Sequence, residues 1–173
     1  MNFRKSIIKR LSPKEVANYY KKKKILNIGE GCEIDNTVNF GSEPYLIKLG
    51  NKVRIASGVK FITHDGGMWV VRNLGINKHA DKIGPIILGD NIFIGVDSII
   101  LQNVKIGNNV IVGCRSIVTK DIPDNSVVAG VPAKYICTIE EYYNKNLNRI
   151  FDTKNMSSEE KIKFYKEYFK DIL

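Results

Sequence analysis

A six-residue repeat of aliphatic side chains constrains the fold of this chain most strongly. In the second half of the chain, one aliphatic residue recurs at every sixth position: Leu88, Ile94, Ile100, Ile106, Val112 and Val118. A second column, four residues further on, contains small or aliphatic side chains: Ile92, Ser98, Val104, Val110, Ser116 and Ile122. A strand alternates every two residues and a helix returns every 3.6, so neither period explains the repeat.

A chain that turns after each short straight segment produces this pattern. Polar, turn-forming pairs separate the aliphatic positions, as at Asp90-Asn91, Asn108-Asn109 and Asp124-Asn125. Three straight sides make a coil of about eighteen residues, and stacked coils pair their short strands in parallel. The sequence therefore predicts an all-β fold, a parallel β-helix prism whose axis is filled by the aliphatic column.

The repeat region also resembles a known family. The run "ILGDNIFIGVDSIILQNVKIGNNVIVGCRSIVTKDIPDNSVVAGVPAK" is similar to the hexapeptide-repeat acyltransferases, near the branch of maltose, galactoside and capsular-polysaccharide O-acetyltransferases. The resemblance covers about residues 25–137. It implies a left-handed coil, a homotrimer and acetyl-CoA as the acyl donor. The handedness rests on the resemblance alone, because right-handed crossovers are the rule in parallel sheets.

The six-residue period is interrupted twice before it becomes regular. Phe40 and Leu49, which should be six residues apart, are nine apart, which predicts a bulge or short loop around residues 41–45. After Phe61 the period is lost for 27 residues, which predicts a loop excursion over residues 64–87. A long loop on a regular scaffold is where functional sites tend to lie.

The excursion contains the candidate catalytic and acceptor-binding residues. Acyl transfer to a hydroxyl needs a base for the acceptor's proton, and a neutral imidazole suits this role. In the family the catalytic histidine lies where coil and loop meet, and His64 of "THDGG" matches it. Asp65 is a candidate for orienting a substrate hydroxyl or the imidazole, and Arg72 for a polar clamp. Trp69 is either a sugar-stacking face or a packing anchor between subunits, and His79 is a substrate contact or a competing base.

The donor-binding candidates lie in the regular part of the repeat. Gly95 and Gly113 leave room for a pantetheine arm against the backbone, although glycine also simply permits tight corners. The resemblance places four further residues along coenzyme A: Ala129 at the pantetheine, and Thr119, Lys120 and Lys134 toward the nucleotide end. Lysine is a suitable point charge for phosphate, but both lysines are also compatible with an ordinary solvated surface.

The N-terminal segment carries almost all of the net charge. Residues 1–24 contain nine basic residues and one acid, Glu15, and so contribute +8 of the total of +9. Ser12 and Glu15 form a capping-box pattern, which predicts a helix that covers the open end of the coil. Weak contact with an anionic membrane surface is an alternative, whereas no reader motif supports nucleic-acid binding.

Composition excludes several other classes. The chain has two histidines, whereas a zinc-dependent β-helix hydratase needs three around an open metal position, so no metal is expected. Its three cysteines are scattered and predict no disulfide framework. No apolar run approaches the ~18 residues of a membrane span, so a cytoplasmic protein is expected.

The sequence as a whole predicts a trimeric, cytoplasmic, acetyl-CoA-dependent O-acetyltransferase that acts on a carbohydrate. The acceptor would be a capsule or surface polysaccharide or a sugar hydroxyl, with His64 as general base in a cleft between subunits. The alternatives are N-acetylation of an amino-sugar nucleotide, serine-type O-acetylation and a non-enzymatic β-helix assembly module. Three segments are expected: a cap over 1–24, the acyltransferase domain over 25–137, and helices over 138–173.

Overall fold

The computed structural model describes residues 10–172, and short strands make up most of the regular structure there. The strands are β1 Asn27–Ile28, β2 Glu33–Ile34, β3 Ile47–Leu49, β4 Val53–Ile55, β5 Lys60–Ile62, β6 Ile86–Leu88, β7 Ile92–Ile94, β8 Ile99–Leu101, β9 Lys105–Ile106, β10 Val110–Val112, β11 Ile117–Val118, β12 Ser126–Ala129 and β13 Lys134–Thr138. The helices are α1 Pro13–Lys22, α2 Met68–Asn73, α3 Ile139–Lys145 and α4 Ser158–Tyr168, with 3₁₀ turns at Pro44–Leu46 and Leu147–Arg149. The first residues of the predicted cap lie outside the described residues.

The strands belong to three sheets that the chain visits in a fixed order. Sheet I contains β1, β3, β6 and β9, sheet II contains β2, β4, β7, β10, β12 and β13, and sheet III contains β5, β8 and β11. The pairs within these sheets are parallel, except for the antiparallel pair of β12 and β13. From β3 to β11, successive strands pass from sheet I to II to III and back to I, so the chain coils with three strands to a turn.

The register of the sheets gives the length of each coil. Ile92 pairs with Val110 and Ile99 pairs with Ile117, positions that are eighteen residues apart. Every side chain of the first aliphatic column is at most 1% exposed, and the second column is buried as well. Full burial of an aliphatic side chain stabilises a fold by roughly 1.5–3 kcal/mol, so the two columns explain why this sequence winds into coils.

The polar turn residues adopt a backbone conformation that few residues tolerate. Five corner residues six positions apart have φ between 54° and 63°: Asn91, Asp97, Asn103, Asn109 and Arg115. Asparagine and aspartate enter this left-handed region at lower cost than most residues. The Asn91 Nδ2 atom donates to Asn109 Oδ1 at 2.9 Å, and Asn109 Nδ2 donates to Asn125 Oδ1 at 2.9 Å. The predicted turn pairs thus form a hydrogen-bonded ladder along the corner between sheets I and II.

Both interruptions of the period lie at one corner, between sheets III and I. Asn39 bridges Lys60, 21 residues away, so this coil is three residues longer than a regular one, and the extra residues include the turn Pro44–Leu46. Phe61 pairs with Ile100, 39 residues away, so the next coil contains 21 extra residues. The expected bulge is therefore present. The excursion ends earlier than the expected residue 87, because β6 begins at Ile86.

Helix α1 packs against the first strands, β1 and β2. It begins after Ser12 with a capping box, and it buries Val16 and Ala17. The ring of Tyr20 stands edge-on to Phe40, with 5.2 Å between the ring centroids. The described part of the N-terminal segment is therefore helical and buries apolar side chains, and its role as a cap over the open end of the coil stays a prediction.

The chain divides into two compact units, one ending at Tyr142 and the other beginning at Tyr143. In the second unit, α4 begins after Ser157 with a capping box to Glu160. A group of aromatic rings in this unit contact one another: Phe151, Phe164, Tyr165, Tyr168 and Phe169. Over residues 10–172, no helix has both the length and the apolar character needed to cross a membrane.

Candidate active site

The excursion leaves the coil and returns to it through a narrow neck. His64 and Ile83 form an antiparallel bridge across this neck. The Asp65 backbone N–H donates to the Lys82 carbonyl at 2.8 Å, and the Gly84 N–H donates to the Thr63 carbonyl at 2.9 Å. The backbone of His64 is therefore held from both sides, so its side chain projects from a fixed point of the coil.

The imidazole of His64 contacts a carboxylate from the preceding coil. His64 Nδ1 lies 2.9 Å from Glu43 Oε2, and the fully buried Thr63 donates its hydroxyl to the same oxygen at 2.7 Å. The Glu43 side chain is 18% exposed and the His64 side chain 47%. The Thr63 hydroxyl and then the His64 ring hold the pKa of Glu43 below its usual range, because both bonds favour the charged carboxylate.

Sequence reasoning did not identify Glu43 as a partner of His64. The two residues are 21 positions apart and belong to no shared motif. The available signal was the nine-residue spacing between Phe40 and Leu49. The residues added there form the turn that carries Glu43 to the corner where His64 stands.

An open cleft of about 430 Å³ lies beside this pair. Residues of the inserted turn and the excursion line it: Ser42, Glu43, His64, Asp65, Gly66, Trp69, Arg72, Asp81, Lys82 and Ile83. The structure thus brings together four of the five residues expected at the acceptor site, namely His64, Asp65, Trp69 and Arg72. His79 is not among the lining residues, and its backbone N–H donates to Asn77 Oδ1 at 3.0 Å.

The cleft's charged side chains are paired with one another. Asp65 Oδ2 accepts from Lys82 Nζ at 2.8 Å, and this bond, followed by the Gly67 N–H, lowers the pKa of Asp65. Arg72 donates to Asp81 Oδ1 at 3.1 Å and to the carbonyl of Ala80 at 2.5 Å. The partner of the imidazole is therefore Glu43, whereas Asp65 contributes to the ion pair with Lys82.

Trp69 is the main apolar surface of the cleft. Its side chain belongs to α2, the short helix of the excursion, and the residue is 64% exposed in the single chain. An exposed indole of this kind is suited to stacking on a sugar face or to packing against another subunit. Within residues 10–172, no group of three or more His, Cys, Asp or Glu side chains is placed to hold a metal ion.

The expected donor contacts lie at two different corners. A Cβ atom on Gly95 would lie 2.5 Å from the Cys114 backbone N, and one on Gly113 would lie 2.9 Å from the Ala129 Cβ, so these residues stack on successive coils. Lys134 pairs with Ala129 across β12 and β13. These four expected contacts form one line, which we call the glycine corner, between sheets II and III.

The other two expected donor contacts are on the corner that carries His64. Thr119 and Lys120 follow β11 of sheet III, and Ile122 next bridges Ile106 of sheet I. Both side chains are exposed. The six expected contacts are thus divided between the glycine corner and the corner of the excursion, which we call the histidine corner.

Comparisons with known proteins agree with this architecture. No family model matches the chain. It is 49% identical over 149 residues to protein CapG of Staphylococcus aureus, and the alignment covers 84% of this chain and 85% of that protein. The hexapeptide-repeat-containing acetyltransferase VCA0836 of Vibrio cholerae has a similar structure, with a TM-score of 0.58, 23% identity, and coverage of 78% of this chain and 86% of that one. A galactoside acetyltransferase in complex with coenzyme A has a TM-score of 0.53 and 27% identity, with 82% of each chain covered.

These similarities define the class of the protein. The chain belongs to the hexapeptide-repeat acetyltransferase family. The predicted acyltransferase activity with acetyl-CoA as donor is confirmed.

Proposed function

We propose that this protein transfers the acetyl group of acetyl-CoA to a hydroxyl of a carbohydrate, a capsule or surface polysaccharide or one of its sugar units. The observation that carries the proposal is the position of His64. Its backbone is fixed at the neck of the excursion, and its half-exposed ring lines an open cleft that also contains charged side chains. A base held in this way is suited to take the proton of an acceptor hydroxyl.

The reaction needs only one proton acceptor from the protein. The imidazole of His64 takes the hydroxyl proton while the acceptor oxygen attacks the thioester carbonyl. The tetrahedral intermediate then collapses and the carbon–sulfur bond breaks. The coenzyme A thiolate leaves and regains the proton from the imidazolium, so the histidine returns to its starting state.

The charges of the cleft favour a neutral sugar over a nucleotide sugar as acceptor. Both cations among the lining residues, Arg72 and Lys82, already pair with carboxylates. A diphosphate would have to displace Asp81 or Asp65 to be bound, whereas a sugar hydroxyl can bond to these side chains without breaking a pair. The exposed indole of Trp69 offers a stacking face. The similar galactoside acetyltransferase is named for a sugar substrate, in agreement with this choice.

We infer that the complete site forms between subunits of a homotrimer of left-handed coils. One side of the coil, a three-residue strand of about 10 Å, separates the two corners of a single chain. Reacting atoms must approach to about 3–3.5 Å, so a thioester on the glycine corner does not reach the histidine of the same chain. A groove between the histidine corner of one subunit and the glycine corner of the next unites both sets of residues, and a ring of three chains repeats it.

This arrangement accounts for the division of the expected donor contacts. Thr119 and Lys120 would come from the subunit that supplies His64, and the glycine corner with Lys134 from its neighbour. The two lysines are suited to the phosphates of coenzyme A as point charges. We place the enzyme in the cytoplasm, where acetyl-CoA is available.

An acceptor screen tests the proposed function. Release of the coenzyme A thiol is followed with sugars, oligosaccharides, amino-sugar nucleotides and serine, and mass spectrometry locates the acetyl group. We expect an ester on a sugar hydroxyl and a fall of kcat by ~10²- to 10⁴-fold for His64→Ala. The matched variant His79→Ala should retain most of the activity. Acetylation of an amine alone, or full activity of His64→Ala, would contradict the proposal.

A further inference from the structure

The contact between Glu43 and His64 depends on an irregularity of the coil. Glu43 immediately precedes the 3₁₀ turn Pro44–Leu46, which lies in the part of this coil that makes it three residues longer than a regular one. His64 begins the 21-residue excursion of the next coil. Both irregularities lie at the histidine corner, one coil apart. The inserted turn therefore places the carboxylate of Glu43 directly against the imidazole of His64, which the excursion supplies.

The hydrogen bonds of Glu43 determine which nitrogen of His64 carries a proton. An ionised carboxylate only accepts hydrogen bonds, and the pKa of Glu43 is lowered by its bonds to Thr63 and His64. The ring must therefore donate from Nδ1 across the 2.9 Å contact. A neutral imidazole with its proton on Nδ1 has a free lone pair on Nε2, which is the form a general base requires.

The geometry also fixes the carboxylate itself. Thr63 is fully buried, and its hydroxyl donates to the same Oε2 atom that contacts His64. One oxygen thus receives two donors from adjacent residues of the chain, which restricts rotation of the Glu43 side chain. The other charged residues of the cleft, Asp65 with Lys82 and Arg72 with Asp81, are engaged with each other.

We propose that Glu43, oriented by Thr63, is the positioning residue of His64, which holds the ring at Nδ1 and so presents Nε2 to the acceptor. Glu43 does not touch the reacting atoms and acts only through the histidine. The importance of this role for catalysis rests on the proposed function of His64. The tautomer that Glu43 imposes is independent of the acceptor and is measured directly.

The experiment combines nitrogen NMR of the imidazole with kinetics. The chain has only two histidines, so a long-range ¹H–¹⁵N spectrum shows two rings, and His79→Ala assigns them. The variants are Glu43→Ala, which removes the acceptor, and Glu43→Gln, which keeps an amide oxygen but removes the charge. Because Thr63 donates to the same position, the glutamine should direct its oxygen toward His64. Glu33→Gln is the matched control, since Glu33 lies on β2 of sheet II, is not among the residues that line the cleft, and pairs with Arg54.

The wild-type ring should show an unprotonated Nε2 in the neutral form, and Glu43→Ala should shift it toward the Nε2–H form. We expect kcat/KM to fall by ~10²-fold in Glu43→Ala and ~10-fold in Glu43→Gln, with Glu33→Gln unchanged.

Two results would overturn the proposal. One is an unchanged His64 tautomer in Glu43→Ala, whatever the activity. The other is a loss of activity in Glu43→Gln and Glu43→Ala with the same tautomer as the wild type, which would indicate a structural role only. Failure of the proposed function is distinct, because it appears as an active His64→Ala variant and leaves the NMR result intact.

Discussion

Replacement of Gly95 by alanine tests whether the close stacking of successive coils determines stability. The added Cβ would lie 2.5 Å from the backbone N of Cys114 and 2.8 Å from its Cα. Backbone atoms do not swing aside as a side chain does, so the two coils must separate at this corner. The separation would strain the bond from Gly95 N–H to the Val112 carbonyl at 2.8 Å and the bond from Arg115 N–H to the Val96 carbonyl at 2.7 Å.

The expected loss of stability follows from these contacts. Overpacking costs about 1–3 kcal/mol, and weakening two hydrogen bonds adds about 0.5–1.5 kcal/mol each. The alanine also restricts the unfolded chain, which offsets about 0.4–1 kcal/mol of this cost, so the net loss of unfolding free energy should be about 1–5.5 kcal/mol.

Urea unfolding followed by circular dichroism, at equal protein concentration for every variant, measures this loss. Gly66→Ala is the matched control, because a Cβ there meets no atom within 4 Å. The control should be unchanged or up to ~1 kcal/mol more stable. A Gly95→Ala protein within ~0.5 kcal/mol of the wild type, the range of ordinary surface substitutions, would refute the stacking argument.

Two further predictions concern charge. Because the pKa of Glu43 is lowered, its contribution to stability is present above its ordinary pKa of 4.5 and is lost as the pH falls through the lower pKa of the folded state. The unfolding midpoint should therefore decline less steeply below pH 4.5 in Glu43→Gln than in the wild type. Equal slopes in the two proteins would contradict this prediction. Lys120→Ala and Lys134→Ala should each raise KM for acetyl-CoA by ~3- to 10-fold with little change in kcat, and this effect should weaken as the salt concentration rises. Acetyl-pantetheine lacks the nucleotide phosphates, so with this donor the variants and the wild type should have the same KM.

The regular part of the fold could be predicted from the sequence because one physical rule governs it. A side chain at the axis of the coil must be apolar, and this requirement produces the six-residue spacing of the aliphatic residues from Leu88 to Val118. The two failures of the spacing located the inserted turn and the excursion. They also located His64, because a residue at the junction of coil and excursion is marked by the loss of period.

The remaining features of the site depend on distances in space that no local pattern records. Glu43 reaches His64 because the coils stack, and its partner could not be chosen among the chain's acids from sequence spacing. The same holds for Asp65, which is adjacent to His64 in sequence yet pairs with Lys82, 17 positions away. The end of the excursion was misplaced because the aliphatic residues that begin at Ile86 were assigned to the loop, although they already form β6.

A mixed-subunit experiment tests the central claim, that the histidine corner of one chain works with the glycine corner of another. One variant is His64→Ala, and the other is Cys114→Trp, which places an indole on an exposed residue beside Gly113. Both variants should be inactive alone and should form oligomers of wild-type mass. Random co-assembly should restore about a quarter of the sites, since half of the histidine corners and half of the glycine corners are intact in a head-to-tail ring. No recovery of activity in mixed oligomers would show that each site belongs to a single chain and would contradict the account.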